Sequence, residues 1–416
     1  MPATAASPCQ RAVPTHPVVM SDRSAPITTH PGRQASTHAG LAQGATRHPG
    51  CEMAHLTIQM YVCREPCCNY HYLLRSVQFM TAFPTELESR CATIERRCSA
   101  EVGRNIERLH EHASGGLYRA LRSIVTCDAP SIAILTGYFI PDGHPPAAET
   151  DGPLGAAILS AALTEIGLPV QVITDHRCID AVAEVVEFIG GPLIEVGVFP
   201  DLGGSFTDVL WRRERRTLAA QSVSHVISIE CLGPGIDGRI RNMRGEDCTS
   251  TAGALYRLFS GLGLHRVGIG DGGNELGMGN IPPEIVAADI EHGDRIQCRV
   301  KCDDLIVSGC ANWGAFGMVA GLGIAFPDHQ RRILQYLQPS LHHEALKMLV
   351  ERKLAVDGVD GSLTLSVDGL DEAAHQSVLS DLSALEPQRI GVRSGIQRFR
   401  QSMSLAVKIK VTARAS

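Results

Sequence analysis

The sequence predicts an α/β fold, a doubly wound and mostly parallel sheet with helices on both faces. Short apolar, β-branched runs at 131–139, 170–175, 192–199, 225–230 and 265–270 alternate with amphipathic stretches of helical length. This alternation is typical of repeated βα units. The 416 residues include 41 glycines but only 5% aromatic residues, a balance that favours many tight βα turns over an all-β sandwich.

Composition and periodicity distinguish four segments of the chain. Residues 1–55 are rich in Pro, Ser, Thr, Ala and His and poor in acids, so they cannot bury enough apolar area to offset their ordering entropy. We expect this segment to be disordered, either as a transit-like peptide or as the product of a mis-assigned start codon. Residues 80–124 have helical periodicity, 125–386 form the α/β domain, and 387–416 form a basic tail.

The second half of the α/β domain contains four further elements in this reading. Residues 295–300 and 305–309 have strand-like patterns, and a helix is expected from Asn312. Residues 328–353 are expected to be a helical insertion, and 362–370 a closing strand.

Charge and hydropathy exclude several classes of function. The net charge of −6 argues against general nucleic-acid binding, which needs clustered cations. No apolar run reaches the roughly 20 residues that span a bilayer. The fourteen cysteines follow no secretory signal, so we expect reduced thiols and a cytoplasmic protein, or a mitochondrial matrix protein if residues 1–55 are a transit peptide. The segment 63–71 contains three cysteines and a histidine but lacks the second pair that a zinc finger needs.

Polar residues follow the predicted strands at the edge where doubly wound sheets bind small molecules. Each group also has a purely structural explanation: helix capping for the residues around 150–153, a solvated loop for the arginines, and packing for the tryptophan. The three arginines near 240 would suit carboxylate capture, and an exposed helix N-terminus near Gly152 would offer further N–H donors. The candidates for substrate binding are Thr150, Asp151, Gly152, Glu230, Arg239, Asn242, Arg244, Gly272, Gly273, Asn312 and Trp313.

The glycine-rich segment 268–279 is the most unusual part of the chain. So many glycines need a backbone reason, such as positive φ or close approach of another group. Asp271 and Glu275 would share one face if the turn continued as a helix. Paired carboxylates can act as acid and base, and they could equally hold a divalent cation. No cofactor is predicted beyond that optional metal.

The same segment also fits the dinucleotide pattern G-x-G-x-x-G at 268–273. Asp271 opposes this alternative because its negative charge would lie where the pyrophosphate binds. The chain also lacks the G-x₄-G-K-[ST] loop of ATP-binding proteins.

Five motifs together resemble the C-terminal domain of D-glutamate cyclases. They are E-T-D-G-P at 149–153, N-M-R-G at 242–245, G-D-G-G-N-E-L-G-M-G at 270–279, N-W-G at 312–314 and V-D-G at 367–369. The resemblance covers roughly 125–385. It implies an α/β domain and a hydro-lyase that converts D-glutamate, a small-molecule substrate, to 5-oxo-D-proline and water.

Residue types suggest roles in that reaction. Asp271 and Glu275 would serve as base and acid, and Asn274 or Asn312 would stabilise the oxyanion. Arg239 or Arg244, with the N-terminus near Gly152, would hold the α-carboxylate.

The chain departs from the family pattern in two ways. Residues 1–124 are too short for the large additional N-terminal hydro-lyase-like domain of the vertebrate enzyme. Cys231 stands where relatives usually carry Arg. These departures keep open a second reading, a non-catalytic binding module for a small acidic amino acid. Nothing in the sequence determines the oligomeric state.

Overall fold

A computed structural model describes most of the α/β domain and the helices before it. The predictions for 1–55, for the cysteines at 63–71 and for the basic tail at 387–416 lie outside the described residues. All described residues belong to one compact unit, Asn69–Ser416. They are 85–191, 194–199, 211–214, 216–218, 221–261 and 263–385.

The described residues form nine strands in two sheets. The larger sheet has six strands, all parallel, in the order β5-β4-β1-β6-β7-β8, and the smaller sheet has the order β2-β3-β9. The strands are β1 (Ile132–Thr136), β2 (Phe139–Ile140), β3 (Ala147–Glu149), β4 (Val170–Asp175), β5 (Glu195–Phe199), β6 (His225–Ile229), β7 (His265–Gly270), β8 (Asp304–Val307) and β9 (Ala355–Val356).

Helices cover both faces of the larger sheet, which confirms the predicted fold class. Residues 211–214 and 216–218 are also helical. The remaining helices are α1 (85–98), α2 (Glu107–Ala113), α3 (Gly116–Thr126), α4 (Pro153–Glu165), α5 (Ile179–Gly190), α6 (Tyr256–Gly261), α7 (Pro283–Asp289), α8 (Gly293–Ile296), α9 (Ala311–Ala325), α10 (Gln330–Leu334), α11 (Pro339–Glu351) and α12 (Glu372–Ser383).

Alternate side chains of the central strand β1 enter two different hydrophobic clusters. Ile132 and Ile134 pack on the side of α4 and α9, whereas Ala133 and Leu135 pack on the opposite side of the sheet. Strands covered on both faces have continuous apolar sequences, which is the pattern that predicted them. Helices α1 to α3 pack into these same two clusters, so residues 85–126 and the sheet share their core.

Two predicted strands are wrong. Of residues 295–300, the first two end helix α8, and Val300 instead accepts hydrogen bonds at 3.1 Å from the backbone N–H groups of Gly277 and Gly279. Residues 362–370 form turns around Asp357, whose carboxylate accepts hydrogen bonds from Ser366 Oγ and from the backbone N–H of Gly369. In both segments tertiary hydrogen bonds override a strand-like local pattern.

The strand order reverses between β1 and β6. In open α/β sheets, ligands bind beyond the carboxyl ends of the strands near this point. The segments that follow β3, β6, β7 and β8 all carry polar residues here. Among the described residues, no helix is both long and apolar enough to cross a bilayer.

Candidate active site

Helices α4 and α9 begin against each other, and each supplies a side chain that caps the other. Asp151 accepts hydrogen bonds from the backbone N–H groups of Ala311 (2.9 Å) and Asn312 (2.8 Å). Asn312 Oδ1 in turn accepts from the N–H groups of Gly152 (3.0 Å) and Gly155 (2.7 Å). Asp151 therefore caps the distant helix rather than its own, which corrects the local capping explanation.

The glycine-rich segment after β7 does not continue as a helix, so the expected shared helical face is absent. Glu275 instead folds back and accepts hydrogen bonds from three consecutive backbone N–H groups. Its Oε1 accepts from Asp271 (2.9 Å) and Gly272 (2.6 Å), and its Oε2 accepts from Gly273 (2.8 Å). Glu275 thus holds the loop in the shape that presents Asp271.

The glycines of this segment have the backbone reasons that the sequence suggested. Gly273 and Gly277 have φ values of 97° and 107°, which disfavour other residues. At Gly268, a Cβ atom would lie 2.4 Å from the carbonyl oxygen of Leu276. The loop therefore crosses directly over strand β7.

Arg104 is the cation of the site, and it comes from the loop between α1 and α2. Its guanidinium forms ion pairs with Asp271 and Asp368, and its side chain is 17% exposed. Glu101 fixes this loop by accepting backbone hydrogen bonds from Asn105 (3.0 Å) and Ile106 (2.9 Å). Asp271 also accepts a hydrogen bond at 2.8 Å from the N–H of Ala311.

Three buried carboxylates and one partly buried carboxylate meet around Arg104, and we call Asp151, Glu230, Asp271 and Asp368 the carboxylate cluster. One oxygen from each of Asp151, Glu230 and Asp271 lies within 4.8 Å of the other two, and Asp368 is equally close to Asp151. Within the described chain, Glu230 Oε2 and Asp368 Oδ2 have no hydrogen-bond partner. Both residues have positive φ, 51° and 60°, a strained conformation that is common at functional sites.

Burial and the neighbouring charges raise the pKa values of Glu230, Asp271 and Asp368. Burial, with the charges of Asp271, Glu275 and Asp151, raises the pKa of Glu230 well above its usual range. Burial raises the pKa of Asp368 to about 7, although Arg104 lowers it, and the pKa of Asp271 is also raised. For Arg104, burial lowers the pKa, but Asp271 and Asp368 outweigh it and the net shift is upward. The site therefore favours protons or a further cation.

The predicted arginines lie in a surface loop and form ion pairs within it. Arg239 pairs with Asp247 at 2.9 Å and Arg244 pairs with Glu246 at 3.1 Å, and both side chains are more than half exposed. Asn242 donates to the same Glu246 at 2.7 Å. Their role as carboxylate ligands stays a prediction.

Three other predicted residues are buried and already engaged. Trp313 Nε1 donates to His375 Nδ1 at 2.9 Å, which is the packing role weighed for it. Thr150 Oγ1 donates to the carbonyl of Ser366 at 3.2 Å, and Asn274 Nδ2 donates to that of Arg241 at 2.9 Å. The catalytic role of Asn274 stays a prediction.

Sequence reasoning missed Arg104 and Asp368 as site residues. Arg104 precedes the first strand, where no strand-end argument applies. Asp368 could have been found from the sequence, because it lies in the V-D-G motif at 367–369, one of the five family motifs. Glu149 also belongs here: it is buried, its side chain lies against Gly358, and the charges of Asp368 and Asp151 act on it.

Comparison with known proteins agrees with the motifs. The sequence model of the D-glutamate cyclase-like, C-terminal family matches residues 94–383. The chain belongs to this family. Human mitochondrial D-glutamate cyclase is 29% identical over 282 residues, which cover 60% of this chain and 44% of that protein. The chain thus spans less than half the length of this curated relative, while the matched family region includes Arg104 and the whole carboxylate cluster.

The structure bears on two alternatives from the sequence, dinucleotide binding at the glycine-rich loop and the effect of Cys231. The N–H groups of Gly272 and Gly273 that a pyrophosphate would need are donated to Glu275, which further opposes the dinucleotide reading. Cys231 is buried at 2% exposure within a hydrophobic cluster, and burial raises the pKa of its thiol to about 12. The consequence of Cys231 for activity stays a prediction.

Replacing Gly268 with Ala should displace the glycine loop. The added methyl group meets backbone atoms, which cannot move aside as a flexible side chain would, so we expect a loss of about 1–3 kcal/mol in the free energy of unfolding. Gly197→Ala is the matched control because its Cβ would have only ordinary contacts, 3.7 Å or longer. Urea denaturation of both variants measures the difference. Equal stabilities would contradict the close approach described above.

Replacing Glu275 with Gln should weaken the protein itself. The amide keeps one acceptor oxygen but turns an NH₂ group toward an N–H donor, so we expect a loss of about 1–3 kcal/mol in the free energy of unfolding. Glu187→Gln, on an exposed position of α5, should change stability by less than about 0.5 kcal/mol. Urea denaturation measures both variants. If Glu275→Gln is as stable as the wild type, the Glu275 carboxylate does not hold the glycine-rich loop, and its predicted role as acid or base is favoured instead.

Proposed function

We propose that this chain cyclises D-glutamate to 5-oxo-D-proline and water. Family membership supports the reaction class, and one structural observation carries the proposal. Among the described residues, four carboxylates, three of them buried, face the single guanidinium of Arg104 at the switch point of the sheet. Such an excess of negative charge suits a substrate that brings a positively charged amine.

The reaction balances with proton transfers alone. The amine nitrogen forms a bond with the γ-carbon, and one γ-carboxylate oxygen leaves as water. Both protons of that water come from the ammonium group, which keeps one hydrogen as the ring amide. The protein therefore has to accept a proton from nitrogen and return it to oxygen.

The contacts favour Asp368 over Glu275 as the group that moves this proton. Asp368 Oδ2 is buried without a partner, whereas both oxygens of Glu275 accept backbone hydrogen bonds. Asp271, the base expected from sequence, accepts hydrogen bonds on both oxygens, from Arg104 and from Ala311. In our proposal Arg104 and Asp271 position Asp368, and Asp368 contacts the substrate amine.

The purified chain should form 5-oxo-D-proline from D-glutamate and not from L-glutamate, as followed by chiral chromatography. We expect Asp368→Asn to lower turnover by about 10²-fold or more, because the amide cannot accept the proton. Asp381→Asn is the control, since this exposed carboxylate pairs with Arg97 on the surface between α1 and α12.

Two results would contradict the proposal. Absence of product with both the wild type and Cys231→Arg would exclude cyclase activity for this chain and favour the binding module. Wild-type turnover in a folded Asp368→Asn variant, as judged by circular dichroism, would exclude the proton-transfer role.

A further inference from the structure

Three members of the carboxylate cluster have the spacing of a single cation's coordination sphere. Asp151, Glu230 and Asp271 each direct one oxygen into a region where all three atoms lie within 4.8 Å of one another. Oxygens bind Mg²⁺ at about 2.1 Å and Ca²⁺ at about 2.4 Å, so two ligands of one ion are separated by at most about 4.2 to 4.8 Å. The three residues follow β3, β6 and β7, so only the folded sheet brings them together.

The three carboxylates still have acceptor capacity after their protein hydrogen bonds. Asp271 accepts two, from Arg104 and Ala311, although a carboxylate offers about four lone-pair positions. Asp151 accepts three backbone hydrogen bonds and keeps about one position. Glu230 is 8% exposed, and its Oε2 has no partner in the described part of the chain. A buried oxygen in that state needs a partner, such as an ordered water molecule, a proton or an ion.

Two oxygens outside this set of three support the same conclusion. Asp368 Oδ2 is buried and unpartnered, and its carboxylate is within 4.8 Å of Asp151. Thr136 Oγ1, at the end of β1, is fully buried and also lacks a partner among the described residues. Thr136 Oγ1 and Glu230 Cβ both lie against Gly152, at 2.7 Å and 3.1 Å from the position that its Cβ would take. Two further buried oxygens without partners thus belong to residues beside Asp151 and Gly152.

The negative charge of Glu230 also favours a cation as its missing partner. Arg104 pairs with Asp271 and Asp368, so Glu230 has no cationic side chain as a partner among the ion pairs of the described residues. Isolated buried carboxylates are very costly, and they are stabilised by pairing or by metal coordination. A ligand set made only of oxygens selects a hard divalent cation over zinc or copper.

We propose that Asp151, Glu230 and Asp271 bind one divalent cation of the Mg²⁺, Mn²⁺ or Ca²⁺ class. This set replaces the Asp271 and Glu275 pair suggested by the sequence, because both oxygens of Glu275 accept hydrogen bonds from its own loop. The link to catalysis rests on the proposed cyclase function: a cation here would neutralise the γ-carboxylate of the substrate as the amine approaches it.

The test is thermal unfolding of the EDTA-treated full chain, with Mg²⁺, Mn²⁺ or Ca²⁺ added without substrate. At least one of these ions should raise the Tm of the wild type in a saturable manner. Glu230→Gln keeps the side-chain shape but removes the charge, and it should abolish the rise. Asp381→Asn removes an exposed carboxylate that pairs with Arg97 and does not belong to the cluster, and it should keep the wild-type response.

Two outcomes would overturn the cation site: no rise in the wild type with any of the three ions, or a full rise in Glu230→Gln. If Glu230→Gln fails to fold, electron paramagnetic resonance of Mn²⁺ with the wild type decides the question. The free-ion signal should fall by one Mn²⁺ per chain and recover with excess Mg²⁺, and an unchanged signal would exclude the site.

Activity separates this proposal from the cyclase function. An enzyme that is active, binds no cation and is unaffected by EDTA would overturn the cation site alone. A chain that binds the cation at Glu230 but makes no 5-oxo-D-proline would overturn the cyclase function and leave the cation site standing.

Discussion

The exchange of caps between α4 and α9 is the constraint on which the site depends. Two helix N-termini meet beside the reversal of strand order, where their unpaired N–H groups would otherwise be buried without partners. Asp151 and Asn312 satisfy them reciprocally, with hydrogen bonds of 2.7 to 3.0 Å. This exchange fixes the distance between the segments after β3 and β8. It also places one carboxylate at the centre of the cluster.

The glycine loop adds a second carboxylate by a different device. Glu275 gathers three N–H groups from its own loop, and the loop lies so close to β7 that Gly268 admits no side chain. The two acids of this motif, Asp271 and Glu275, therefore have different structural roles. Glu275 shapes the backbone, while Asp271 faces Arg104 and the other carboxylates.

Arg104 couples the helical segment before the sheet to the segment after β9. It pairs with Asp271 and Asp368, which are separated by almost a hundred residues, and Glu101 holds its loop in place. One guanidinium cannot balance the whole cluster. In the two proposals, the remaining negative charge is what a cationic amine or a divalent ion would bind.

The sequence by itself determined the βα alternation, the position of polar residues after the strands, and the family through its glycine motif. These features are local: the period of apolar residues and a short motif can be read without knowing which segments touch. Tertiary structure decided that Asp151 caps a distant helix, that Glu275 binds its own loop, and that Arg104 and Asp368 join the site. It also gave the strand-like pattern at 295–300 a helix end followed by irregular backbone, and the one at 362–370 a series of turns. Hydrogen-bond partners and buried charge pairs depend on how segments far apart in the chain cross, and no local period encodes that.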